Sequence, residues 1–82
     1  MIKKQLGKNI IGRRVAEARQ RCKPALTQDA LSGKLAQLGI QLDRAAIAKI
    51  EINHRHVFDY ELKAIAHVLG VGANWLLGIE KS

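Results

Sequence analysis

The sequence predicts an all-α domain of five helices, and three observations carry that reading. Apolar residues recur at three- and four-residue spacing, and no segment alternates apolar and polar residues as a half-buried strand does. Thr27, Asp43 and Asp59 stand just before periodic stretches, where a side-chain oxygen can accept from unpaired backbone N–H groups. Gly39, Gly70 and Gly78 stand just after them, where positive φ ends a helix at little cost.

Taken in order, the first helix follows Asn9, a plausible cap, and buries Ile11, Val15, Ala18 and Cys22. It must end before Pro24, which lacks an N–H and biases Lys23 away from helical geometry. Thr27 opens the second helix, whose apolar stripe is Leu31, Leu35 and Leu38; Gly33 inside it reads as a site of close helix packing. Asp43 caps a third helix from Arg44 to Ile50 or slightly beyond, burying Ile47 and Ile50 and ending near Ile52 or Asn53. Asp59 caps a fourth, Tyr60 to about Leu69, with Leu62, Ile65, Ala66 and Leu69 inward. The fifth, Ala73 to Leu77, places Trp75 and Leu76 in the core. The expected organisation is a flexible basic segment over 1–8, a domain over 9–78 and a tail over 79–82.

A chain of 82 residues makes one domain with a thin core. Fourteen Lys and Arg against seven Asp and Glu give a net charge of +7. Such a balance calls for an anionic partner, nucleic acid before a membrane surface. The cations are spread over several short helices rather than lining one long amphipathic one, and no apolar run approaches the roughly 20 residues that span a bilayer. No membrane partner is expected. Lysines near the N-terminus precede no apolar block, so no secretory signal is read. The lone Cys22 cannot form an internal disulfide; it reads as core filler and fits a reducing cytoplasm. The expected location is therefore the cytoplasm, at the nucleoid.

Catalysis finds no support. The chain has no Gly-rich phosphate loop followed by Lys and Ser or Thr, no His-Glu-x-x-His and no cysteine pair at zinc spacing. Nothing in the spacing of His54, His56 and His67 sets a metal geometry. No enzyme activity, cofactor or metal is expected.

The third helix carries the functional reading. Its outer surface combines Arg44 and Lys49 with the small Ala45 and Ala48. A helix of this kind fits the major groove of B-form DNA, where an Arg fork pairs bidentately with guanine and an alanine methyl meets a thymine methyl. A solvated amphipathic helix has the same composition, so its neighbours decide. Gln28, beside Thr27 at the start of the second helix, can bind a phosphate together with free helix N–H groups. Arg55, with His54 beside it, can hold a phosphate on the far side of the groove. Phosphate contacts of this kind fix register, while base contacts specify sequence.

The segments IGRRVAEARQ, LTQDAL, DRAAIAKIE, INHR, ELKAIAHVLGV and NWLLG, in that order, resemble the helix-turn-helix domain of phage-repressor and Cro-like transcriptional regulators. The resemblance covers about Asn9 to Gly78. It implies a five-helix, lambda-repressor-like DNA-binding domain acting as a homodimer. It assigns Gln28 to backbone phosphate, Arg44, Ala45 and Lys49 to bases, and Arg19 with Glu51 to an ion pair between the first and third helices. The chain departs from the family in a lengthened helix 2 and turn between Leu35 and Asp43 and in a longer Lys23–Leu26 connection. It also has Ile52 and Asn53 where Asn and Gly are usual.

Leu77 and Ile79 are expected on the surface as the dimer contact, setting two recognition helices about 34 Å apart on a near-palindromic operator. The expected function is a sequence-specific double-stranded DNA-binding regulator that acts as a repressor. The alternatives are an antitoxin-type DNA-binding partner of a toxin protein and a protein-interaction module that has kept the fold.

Overall fold

A computed structural model describes residues 7–79. They form five helices and no strand: α1 (Gly12–Arg21), α2 (Gln28–Gln37), α3 (Arg44–Glu51), α4 (Asp59–Leu69) and α5 (Ala73–Leu76). Most of the expected basic segment (1–6) and of the tail (80–82) lies outside the described residues. No helix among the described residues is long and apolar enough to cross a membrane.

All five helices contribute to one core. Val15 and Ala18 enter from α1, Leu31 and Leu35 from α2, and Ile47 and Ile50 from α3. Ile65, Ala66 and Leu69 of α4 meet Trp75 and Leu76 of α5 on the other side. Arg14 fastens the last helix to the first: Nη1 donates to the Trp75 carbonyl at 2.7 Å, and the guanidinium lies 5.2 Å from the centre of the indole ring. Cys22 is half-buried, its thiol donating to the Ala18 carbonyl at 3.4 Å.

Helices α2 to α5 end alike, each at a residue with positive φ: Gly39 (81°), Asn53 (64°), Gly70 (69°) and Gly78 (79°). In each, the N–H that follows reaches back across the last turn. Ile40 donates to Leu35, His54 to Lys49, Val71 to Ala66 and Ile79 to Asn74, all at 2.8–3.1 Å. At Gly39 this reversal corrects the expected stripe of α2. Leu38 falls beyond the helix and is 49% exposed. Ile40, half-buried, and Leu42, fully buried, replace it, because the reversed chain turns them inward.

The helix starts agree in two cases and differ in one. Thr27 Oγ1 accepts from the Ala30 N–H at 3.0 Å, and Asp43 Oδ1 accepts from Ala46 at 2.8 Å. Asp59 is the first residue of α4 rather than its cap. Phe58 holds the cap position, and its backbone N–H donates to Glu61 Oε1 at 3.0 Å. A glutamate three residues on thus does the capping, as in half of a capping box. Gly33 also departs from expectation: a Cβ there would meet nothing within 4 Å, so no helix packs closely against it.

Candidate nucleic-acid interface

α3 presents its core residues and its candidate contact residues on opposite sides. Ile47 and Ile50 are buried, whereas Arg44, Ala45 and Lys49 are exposed. Ala48, on the same face, is half-buried. Ala45 and Lys49 line a shallow depression of about 510 Å³, into which Asp43 and Ala46 also face. Its other wall is built by Lys8, His54, Arg55, His56 and Phe58. Lys8 and Lys49 therefore face the Asp43 carboxylate with Arg55, whose charge is matched by Glu61. Arg44 is exposed at the start of the helix but does not line this depression.

Glu51, at the end of α3, holds that helix to α1 and α2. Arg19 Nε donates to its Oε2 at 2.8 Å and Nη2 to its Oε1 at 3.1 Å. Gln28 Nε2 donates to the same Oε1 at 2.9 Å. The Arg19 and Glu51 side chains are only 13% and 7% exposed. The hydrogen bond to Glu51 raises the Arg19 pKa, against the lowering effect of burial, and the Glu51 charge adds to the rise. Arg19 Nη1 also donates to the Leu26 carbonyl at 2.8 Å, which pins the α1–α2 connection. Gln28 is thus oriented by Glu51, yet an amide NH₂ has two donors and one remains for an outside acceptor. Thr27 is exposed beside it; its Oγ1 accepts from Ala30, which leaves its O–H free to donate.

The loop after α3 is held from two sides. Arg55 Nη1 donates to buried Glu61 at 3.0 Å and to the His56 carbonyl at 2.8 Å, with Nη2 at 3.4 Å from Glu61. Arg55 is therefore a paired cation, half-buried, rather than a free one. From the other side, Asn9 Nδ2 donates to the carbonyls of Ile50 (3.1 Å) and Arg55 (2.8 Å). Its Oδ1 accepts from the N–H groups of Ile11 and Gly12. Lys8 donates its backbone N–H to Asn53 at 2.8 Å, which brings its side chain to the depression. His54 is exposed at the rim.

Leu77 and Ile79 follow α5, which packs on α1 and α4, and Leu77 borders a small depression that shares Lys8 and His56 with this face. Ile79 is 72% exposed. Leu77 is half-buried against the core, so only Ile79 stands on the surface as expected for both.

Three residues of the site escape the sequence reading. Glu61 is signalled by its place three residues after Phe58, the spacing of a capping box. Asn9 reads only as a cap, because its bonds to Ile50 and Arg55 join distant segments. Gly12 reads as nothing, yet a Cβ there would overlap the carbonyl oxygens of Ile50 and Glu51 and the side-chain oxygen of Asn53. That Asn53 oxygen is buried with no hydrogen-bond partner among the described residues.

Among the described residues, no three His, Cys, Asp or Glu side chains cluster as a metal site requires. No family model, curated protein or solved structure matches this chain.

Proposed function

We propose that the chain is a sequence-specific double-stranded DNA-binding regulator of the phage-repressor and Cro-like helix-turn-helix type, acting as a homodimer. The observation that carries this reading is the outer face of α3. Arg44, Ala45 and Lys49 are exposed together on it, and the depression beside it gathers Lys8 and Arg55 as well. A helix with small side chains between two cations can approach base edges closely, and flanking cations can neutralise phosphates.

In this reading α3 lies in the major groove, and Arg44, first in the helix, reaches a guanine edge. Ala45 meets the groove floor, and Lys49 reaches a base or phosphate one turn further on. Gln28 and Thr27 hold a phosphate at one end of the site, and the remaining N–H groups of Arg55, with His54, hold another. The Arg19–Glu51–Gln28 chain of hydrogen bonds sets the angle of α3 against the phosphate-binding start of α2. Asn9 does the same for the loop that carries Arg55.

Selection of bound duplexes from a random pool, at two salt concentrations, tests the reading. A near-palindromic consensus recovered at both salts is the expected result. Binding without a consensus that collapses as salt rises would leave a non-specific basic protein instead.

A further inference from the structure

Phe58 and Tyr60 are the chain's one phenylalanine and one tyrosine, and the core uses neither. Each is 57% exposed. Their rings are parallel to within 13°, with centroids 5.6 Å apart. The backbone that carries the pair is fixed: the Phe58 N–H donates to Glu61, and Tyr60 sits in the first turn of α4. Phe58 walls the basic depression beside α3. Tyr60 borders a second, smaller depression of about 270 Å³ with Leu38, Lys63 and His67. The stack therefore stands between the basic depression and a mostly apolar one, lined also by Ile40 and Ala64, in which Lys63 is the permanent cation.

We propose that this stack is a platform for an unpaired nucleobase, on a strand whose phosphates follow Lys8 and Lys49, which line the same depression as Phe58. The inference rests on the nucleic-acid reading above and names a second mode of binding within it. An open aromatic face beside a track of cations accepts any base, because every base has a π-face. A perfect duplex offers such a face only at its ends, so the ligand is a single strand or a duplex with an extrahelical base. A second copy of the chain is the poorer occupant, since it brings the same cations to this face and carries a charge of +7.

The test is fluorescence anisotropy with a short perfect duplex, the same duplex carrying one unpaired thymine, and oligothymidine. The full chain is compared with the double variant Phe58→Leu, Tyr60→Leu, which keeps apolar bulk and removes both π-faces. In the wild type the unpaired thymine should tighten binding by roughly 5- to 150-fold, the range that base–aromatic stacking supplies. The leucine variant should lose that gain, its affinity for the duplex with the unpaired thymine falling to its own affinity for the perfect duplex. Phe58→Trp should retain the gain. No gain in the wild type, or a gain that survives in the leucine variant, overturns the proposal. So does sedimentation showing that the leucine substitutions convert a dimer to a monomer, which would make the pair a subunit contact. Wild-type protein that ignores the perfect duplex yet binds oligothymidine through these rings would sink the operator reading and support the platform.

Discussion

Glu51 ties α3 to α1 and α2 through Arg19 and Gln28. It accepts three hydrogen bonds from two residues on two other helices, in a position only 7% exposed. Glu51→Ala would leave the Arg19 guanidinium nearly buried without its partner. Breaking a buried pair in this way costs about 3–5 kcal/mol, a large part of the stability of a domain this small. Chemical denaturation of Glu51→Ala, Arg19→Ala and the double variant should show the double costing clearly less than the sum. Strict additivity would contradict the pair. Arg19 itself brings no pH dependence near neutrality. Its folded pKa is raised, so its contribution is complete below the unfolded value and is lost only as pH rises through the folded one. The pairing of Arg19 with Glu51 was accessible through family resemblance alone; to a reader of residues they are two charges far apart in the chain. Gln28 as the third member, and the need for glycine at position 12, were not legible. Both follow from which helices meet, and no local pattern encodes that.

Helix limits, in contrast, were legible almost throughout, because their causes are local. Thr27, Asp43, Gly39, Asn53, Gly70 and Gly78 act through backbone groups a few residues away. The misreadings are local too. Periodicity extends the stripe of α2 to Leu38 because it does not see the reversal at Gly39. An aspartate before a periodic stretch reads as a cap, but at Asp59 the capping is done by Glu61. Gly33 gives a stability prediction at this scale. It is exposed within α2 with open space where a Cβ would go, so Gly33→Ala should stabilise by about 0.4–1 kcal/mol. Gly39→Ala, at φ 81°, should destabilise instead, since an L side chain is strained there. Thermal melting of both variants decides it: a lower melting temperature for Gly33→Ala would mean that the glycine serves a contact outside this chain.

At the scale of the whole molecule, the proposed DNA-binding and subunit surfaces use different helices and adjoin at Lys8 and His56. The first is gathered on α3 and its following loop; the second centres on exposed Ile79 beyond α5. Ile79→Glu should lower the mass measured by light scattering while leaving the melting temperature nearly unchanged. Leu77→Glu should lower the melting temperature, because Leu77 packs on the core. An unchanged mass for Ile79→Glu would remove the C-terminal end as the dimer contact. The net charge of +7 pointed to an anionic partner from composition alone. The place of Lys8 beside α3 depends on a backbone bond to Asn53, and so lay beyond the reach of sequence.

The proposed base-reading role of α3 stands or falls with Arg44. Its test is the affinity of wild type and Arg44→Ala for the selected consensus duplex and for a scrambled duplex at the same salt concentration. Arg44→Ala should lose about 1–3 kcal/mol on the consensus, with relaxed preference at one base position and almost no loss on the scrambled sequence. An equal loss on both duplexes would contradict that role and reduce Arg44 to a phosphate contact.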